Sequence, residues 1–240
     1  MQASGYSVLL TSLGQNTKIF VFCSSLVKIN DYDRIKIIME SFILIIFQII
    51  VVLFSIVLHE VSHGVMANHL GDPTAKTLGR ITLNPLKHLD FFGSIILPFT
   101  LYFISQGSFV FGYAKPVPYN PLNLRDRHYG PAKVAMAGPL TNLTIAVLVG
   151  LVMRFLPFGF GNPAMQELLG YAVLINLVLA VFNLMPVPPL DGHWLALTFA
   201  PALAHFFQRF GLFLFFILML FVFPLLSPVI LWLFKLITGA

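Results

Sequence analysis

The sequence contains little charge and a single cysteine. Charged residues make up 10% of its 240 residues, whereas about 25% of a soluble globular domain is charged. The single cysteine, Cys23, excludes an internal disulfide and a metal site built from several thiolates. Hydrophobic residues, in contrast, account for 58% of the chain, which is more apolar surface than one core of this size can bury. The composition therefore predicts a membrane protein.

The net charge of +5 does not by itself indicate nucleic-acid binding. The basic residues lie in segments between apolar runs, and this alternation is typical of membrane topology. We therefore expect the lipid bilayer, and no nucleic acid, to be a partner of the chain.

Apolar runs long enough to cross a bilayer recur along the sequence. The runs at 41–58, 133–156 and 167–185 have the length and composition of membrane-spanning helices. The run at 210–237 is broken by two prolines and is interpreted as one long span or a bent hairpin. The run at 92–111 contains two glycines and a proline. The predicted fold class is an α-helical polytopic membrane protein with about four to six membrane segments.

The strongest chemical signal is the sequence His59-Glu60-Val61-Ser62-His63 at the end of the first long apolar run. Residues four apart share one face of a helix, so both imidazoles can bind one metal ion. Glu60 is then placed to act as general base toward the attacking water. Such a motif also occurs by chance at helix ends. Ionisable residues beside a membrane span are usually functional, however, which favours a metal site.

A catalytic zinc site needs a third protein ligand, and the residues alone leave it open. The candidates after the motif are His69, Asp72, Asp90, Asp126, Glu167 and Asp191. His69 has the spacing of another zinc-protease pattern, but the glycine which that pattern requires is replaced by Met66. Asp191 follows three prolines that end a helix, yet an Asp-Gly turn at a membrane surface is common.

Three segments resemble the signatures of the site-2 protease family of intramembrane zinc metalloproteases. They are HEVSH at 59–63, AMAGPLTN at 135–142 and FNLMPVPPLDG at 182–192, and they occur in the family's order. The resemblance implies that His59, His63 and Asp191 bind one Zn²⁺ and that Glu60 is the catalytic base. It also implies that Asn183 holds substrate or stabilises the oxyanion. Gly138, Pro139 and Asn142 match the middle signature, which we interpret as packing beside the site.

Two further stretches, NPLKHLD at 84–90 and GYAKPVPYNP at 112–121, resemble a compact bacterial branch of the family. We expect no PDZ or CBS domain in this chain. Residues 39–240 are predicted to form one metalloprotease domain. Residues 1–38 are interpreted as an extension of doubtful authenticity, with translation beginning at Met39.

The ligand positions also predict topology. His59, His63 and Asp191 all follow the ends of apolar runs, so those two spans must be parallel to reach one ion. One crossing at 133–156 achieves this, and 92–111 is therefore predicted to enter and leave on the same side, in the form of a re-entrant element or a β-hairpin. Most basic residues then lie on the metal side, which predicts an active site toward the cytoplasmic face of the cell membrane.

The predicted function is hydrolysis of peptide bonds in or near the transmembrane segments of a membrane-protein substrate. Two alternatives remain open at this point. One is a non-catalytic relative that binds zinc or a client helix, and the other is a metal transporter. A transporter has no need of Glu60 next to His59, which favours the enzyme.

Overall fold

The computed structural model describes residues 31–107, 110–155, 163–217 and 221–239. Its helices are α1 (Asp31–His69), α2 (Thr74–Thr77), α3 (Leu97–Ile104), α4 (Gly130–Phe155), α5 (Pro163–Asn183), α6 (Gly192–Phe199), α7 (Pro201–Ile217) and α8 (Phe223–Thr238). Short 3₁₀ turns lie at Pro85–Lys87 and Pro121–Asn123, and Phe91–Ile96 is a π-helical turn. Residues from Phe47 onward form one compact unit, and the described residues before it form the start of α1.

Three of the described helices are long and apolar enough to cross a membrane. They are Phe42–His69, Gly130–Phe155 and Ala164–Asn183, with 28, 26 and 20 residues. About 20 apolar residues are needed to span the hydrocarbon core. Phe91–Ile104 and Leu225–Thr238 are shorter apolar helices. The predicted class, an α-helical membrane protein with several apolar segments, is confirmed.

The ends of the first and third spans follow from their sequences. After His69, Gly71 adopts a φ of 111°, a conformation that favours glycine, and Pro73 follows at once. The third span ends at Asn183 because Pro186, Pro188 and Pro189 cannot continue a helix. Between them, α4 packs against α5 and α8 around Ala146, Val173, Leu177 and Ile230.

The segment predicted as a possible β-hairpin is helical over residues 91–104, so the hairpin form of that prediction is wrong. The Asp90 carboxylate accepts a hydrogen bond from the Gly93 N–H and begins the helical turn. Pro98 lies in the first turn of α3, where its missing N–H is not needed. Proline and glycine here are compatible with a helix start, although they suggested a non-helical segment.

The returning chain nevertheless lies beside the start of this segment. Residues 110–120 form no helix, strand or turn. The Tyr113 N–H donates to the Gly93 carbonyl at 3.0 Å, and the Lys115 N–H donates to the His88 carbonyl at 2.8 Å. The two ends of the segment therefore meet, which is the geometry expected of an element that enters and returns. Its depth in the membrane stays a prediction.

Several predicted segments include residues outside the described ranges, among them 108–109 in the run at 92–111 and residue 156 in the run at 133–156. Residues 1–30 belong to the predicted extension at 1–38, and residues 218–220 lie within the run at 210–237. On either side of 218–220, the described parts of that run are helical, in α7 and α8.

Candidate metal centre

The two histidines of the HEVSH motif lie on one face near the C-terminal end of α1. Both side chains are buried, with 6% of His59 and 7% of His63 exposed. Their Nε2 atoms lie 3.0 Å and 3.3 Å from the Asp191 Oδ2 atom. One ligand atom from each of the three residues lies within 4.8 Å of the other two. The structure thus brings the three predicted metal ligands together.

Asp191 reaches the histidines because the chain turns sharply after the third span. The turn is closed by hydrogen bonds from the Val187 N–H to the Met185 carbonyl and from the Leu190 N–H to the Val187 carbonyl. Gly192 completes it, because a Cβ at this position would collide with the Leu184 carbonyl. The Asp-Gly pair therefore belongs to a tightly packed turn that places a carboxylate at the histidines.

The hydrogen bonds on the far side of each imidazole determine which nitrogen carries a proton. His63 Nδ1 lies 2.8 Å from the Val134 carbonyl, which only accepts, so this nitrogen must donate. His59 Nδ1 lies 2.6 Å from Asn142 Oδ1. The Asn142 amide is oriented by its Nδ2, which donates to the Ser55 carbonyl at 3.3 Å. Both Nδ1 atoms are therefore donors.

With Nδ1 protonated, each neutral imidazole presents its Nε2 lone pair to the Asp191 carboxylate. Three acceptors cannot approach this closely unless a cation or a proton lies between them. Tetrahedral zinc with bonds of about 2.0–2.1 Å places its ligand atoms about 3.3 Å apart. The observed separations of 3.0 Å and 3.3 Å fit that spacing. Two imidazoles and one carboxylate also match a known ligand set of catalytic zinc, so these residues fit the ion.

Without a metal ion, a proton on the imidazoles can supply the positive charge beside Asp191. Burial raises the pKa of Asp191, but hydrogen bonds and positive charge from His59 and His63 then outweigh burial and lower the pKa to about 2. A carboxylate that stays ionised in a mostly buried position is suited to bind a cation.

Glu60 is held beside this group by an extended segment. Its Oε2 accepts a hydrogen bond from the Val117 N–H at 2.8 Å. Val117 lies between Pro116 and Pro118, so it supplies the one backbone N–H of these three residues. The Arg80 guanidinium donates to the Lys115 and Pro116 carbonyls and fixes the same segment.

Asn183 is not among the grouped residues. Its Nδ2 donates to the Leu179 carbonyl of its own helix at 2.9 Å. A hydrogen bond of this kind, from a polar side chain to a carbonyl of the last turn, is typical of a helix end. The role of Asn183 at the oxyanion stays a prediction, and it requires the amide to leave this partner.

The structure places the other candidate ligands elsewhere. His69 is exposed at the end of α1, and Glu167 is exposed near the start of α5. Asp90 caps the helical segment 91–104, and Asp126 pairs with Lys133 at 3.0 Å. Asp72 is fully buried and accepts hydrogen bonds from Thr74, Asn120 and Asn123. Each of these residues therefore has a structural or surface position away from the three ligands.

Sequence reasoning missed two polar residues behind the site, Ser55 and Asn176. Both are buried and hydrogen-bonded to the Asn142 amide or to each other. A signal was available, because Asn176 is a polar residue in the middle of an apolar run and Ser55 lies one helical turn before His59. Asn142 itself was interpreted as packing, whereas it contacts His59 directly.

Comparison with known proteins supports the same chemistry. Residues 160–225 match the model of "Peptidase family M50". Over 154 residues, the chain is 35% identical to "Putative zinc metalloprotease YwhC" of Bacillus subtilis, which covers 61% of this chain and 66% of the relative. Over 145 residues, it is 32% identical to "Putative zinc metalloprotease Rip2" of Mycolicibacterium smegmatis, covering 59% and 52%.

The chain thus spans just under two thirds of YwhC and about half of Rip2. No solved structure matches it significantly. The family match includes the turn that carries Asp191, and both relatives bear the name of a zinc metalloprotease. Taken with the three signature segments, these matches support the site-2 protease family, peptidase family M50.

Proposed function

We propose that the chain is an intramembrane zinc metalloprotease that hydrolyses peptide bonds in or near the transmembrane segments of other membrane proteins. One observation carries the proposal. His59, His63 and Asp191 present three acceptor atoms to one point, and Glu60 is held beside them in the C-terminal half of the first apolar helix. A site for zinc storage or transport has no use for a carboxylate held next to the ligands.

In this proposal His59, His63 and Asp191 would hold a zinc ion. The bound ion would supply Lewis acidity toward the scissile carbonyl and the attacking water. Glu60 accepts the proton of the attacking water and passes it to the leaving nitrogen. The Val117 N–H holds the Glu60 carboxylate in position for both transfers.

Asn183 is proposed to donate a hydrogen bond to the oxygen that becomes negative during attack. Such a donor contributes about 3 kcal/mol to lowering the barrier. Its amide bonds to the Leu179 carbonyl in this structure, so the donation requires a rotation of the side chain.

The proposed substrate is a transmembrane helix that unwinds locally, because a helix hides its peptide bonds. The extended segment at 110–120 offers a surface for such an unwound strand. The N–H groups of Tyr113, Lys115 and Val117 all bond inward, to the Gly93 and His88 carbonyls and to Glu60. Because N–H groups alternate along an extended strand, we expect those of Gly112 and Ala114 to face the opposite edge, where a substrate strand can pair.

We further propose that the chain resides in the cell membrane with the metal centre toward the cytoplasm. Basic residues near the loops on the metal side support this orientation. They are Lys76, Arg80, Lys87, Lys115, Arg125, Arg127 and Lys133.

Reconstitution tests the proposal. The full chain is placed in liposomes with a transmembrane substrate tagged at both ends, and products are identified by mass spectrometry. We expect zinc-dependent cleavage, which Glu60→Gln reduces to background while zinc content is unchanged. Glu167→Gln is the matched control, because Glu167 is exposed at the other end of the third span. Cleavage by Glu60→Gln at the wild-type rate would disprove the mechanism, and zinc binding without cleavage would indicate a non-catalytic relative.

A further inference from the structure

A buried chain of amide hydrogen bonds connects the metal centre to the middle of the third span. His59 Nδ1 donates to Asn142 Oδ1, and Asn142 Nδ2 donates to Asn176 Oδ1 at 2.9 Å. Asn176 Nδ2 donates in turn to Ser55 Oγ and to the Ala172 carbonyl, both at 2.9 Å. These hydrogen bonds therefore join residues of α1, α4 and α5 within the predicted membrane spans.

Every donor and acceptor group of the Asn142 and Asn176 side-chain amides takes part in these hydrogen bonds. Ser55 is 4% exposed, Asn142 is fully buried and Asn176 is 1% exposed. The two N–H groups of Asn142 are directed at the Ser55 carbonyl and at Asn176 Oδ1. The two N–H groups of Asn176 are directed at Ser55 Oγ and at the Ala172 carbonyl. Because two of these acceptors are backbone carbonyls, neither amide can flip without leaving a buried donor unpaired.

The donor-to-acceptor direction of these hydrogen bonds determines which atom of Asn142 faces His59. With Asn176 fixed by the Ala172 carbonyl, its Oδ1 faces Asn142. Asn142 must then direct its own Oδ1 at His59 Nδ1. An oxygen at this position selects the tautomer of His59 that keeps Nε2 free to bind metal, and it also fixes the plane of the ring.

We propose that Asn176, acting through Asn142, is a positioning residue that sets the ring orientation and tautomer of His59 for metal binding. The proposal rests on the zinc site of the proposed function and adds residues of the third span to it. Asn176 lies 34 residues after Asn142, on a different helix, and belongs to none of the three signature segments.

A purely structural role for the same residues makes a different prediction. Polar side chains in membrane spans also join helices, and in that role they stabilise the fold without affecting the metal. If they act only in this way, their loss lowers the unfolding temperature and leaves the zinc affinity of the folded chain unchanged. If Asn176 positions His59, its loss weakens metal binding in chains that remain folded.

The experiment measures zinc affinity by competition with a chelator, using the purified full chain in detergent, and records the visible spectrum of the cobalt-substituted chain. We expect Asn142→Leu to weaken zinc binding about 10- to 100-fold, which is typical when a partner of a ligating histidine is lost. Asn176→Leu is expected to weaken it by up to about tenfold and to shift the cobalt spectrum in the same direction. The double variant should bind no more weakly than Asn142→Leu alone, since both act on one histidine.

Thr144→Val is the matched control on the same helix. Its hydroxyl bonds to the Leu140 carbonyl and is exposed, so its loss should leave zinc affinity unchanged. Unfolding of each variant is followed in parallel in the presence of chelator.

Ser55→Ala provides a milder change that removes one acceptor of Asn176, and a weaker zinc affinity in this variant supports the proposal. Wild-type affinity and cobalt spectra in both Asn176→Leu and Ser55→Ala would overturn it, as would additive losses in the double variant. If Asn176→Leu does not fold, the affinity of Ser55→Ala decides. Failure of the wild-type chain to bind zinc would instead contradict the proposed function.

Discussion

His59 Nε2 and Asp191 Oδ2 lie 3.0 Å apart, although the two residues are separated by 132 positions in the chain. The contact joins the C-terminal half of the first apolar helix to the turn after the third. Because Nδ1 of His59 is occupied by Asn142, the Nε2 lone pair and the carboxylate face each other directly. The His59 Nε2 atom and the Asp191 carboxylate can therefore lie this close only if a positive charge lies between them. If either residue is replaced, that charge is no longer required.

We expect Asp191→Ala to lose stoichiometric zinc, because only two imidazoles would remain to hold the ion. Metal content of the purified chain is the measurement. Asp126→Ala is the control, since Asp126 pairs with Lys133 on the surface and not with the histidines. Stoichiometric zinc in Asp191→Ala would show that another residue is the third ligand.

A methyl group at Gly138 should displace both histidines. A Cβ there would lie 2.5 Å from His59 Nε2 and 2.6 Å from His63 Nε2, closer than real contacts allow. We expect Gly138→Ala to weaken zinc binding and to reduce cleavage by about a hundredfold, the cost of a small displacement at a catalytic centre. Gly170→Ala is the comparison, because the nearest side-chain atoms there lie 3.7 Å away or further. Equal activity of the two variants would argue against the ligand geometry.

The hydrogen bond between the Val117 N–H and Glu60 can be removed without changing Glu60. Val117→Pro lacks the N–H, whereas Val117→Ala keeps it. A hydrogen bond to a charged group contributes about 1.5–3 kcal/mol, so we expect kcat to fall roughly tenfold or more in Val117→Pro. Zinc content should remain, since the Val117 N–H bonds to Glu60 and not to a ligand. The prediction fails if Val117→Ala and Val117→Pro have the same kcat.

Asp72 should stabilise the turn that follows α1 in a manner that depends on pH. Burial raises its pKa, but hydrogen bonds from Thr74, Asn123 and Asn120 lower it below the usual value of 3.8. A carboxyl with a lowered folded pKa stabilises the protein above its unfolded pKa, and this contribution is lost as the pH falls through the folded pKa.

We therefore expect Asp72→Asn to lower the unfolding temperature at neutral pH, with a loss on the order of 3 kcal/mol. The difference from wild type should shrink as the pH falls below the unfolded pKa. Thermal unfolding in detergent across acidic and neutral pH measures this. A difference that is constant with pH would mean that the charge of Asp72 is not responsible.

The sequence pattern predicted individual residues of the site better than the contacts between distant segments. A spacing of four residues on a helix was enough to place His59 and His63 on one face. The third ligand was not decided by local pattern, because Asp191 meets the histidines through a contact between distant spans. Resemblance to a family selected it among six candidates.

The error at 91–104 has a physical explanation. Glycine often marks a turn, but Gly93 allows the ring of Tyr113 to pack where a Cβ would collide. Proline breaks a helix at interior positions, but Pro98 lies in the first turn, where it is tolerated. The effect of Gly93 depends on its neighbour Tyr113, and the effect of Pro98 depends on its position in the helix. Local composition reveals neither. Ser55 and Asn176 were missed for the same reason, since their partners lie on other helices.

The division of the metal centre among three spans also governs when the site can form during biosynthesis. The imidazoles and Glu60 belong to the first span, and the amide that orients His59 belongs to the second. The carboxylate leaves the ribosome only after the third span has been made. A nascent chain with two inserted spans therefore lacks one of the three proposed ligands. Under the proposed function, such a chain is not yet able to hydrolyse neighbouring membrane proteins, and metal loading has to follow insertion of the third span.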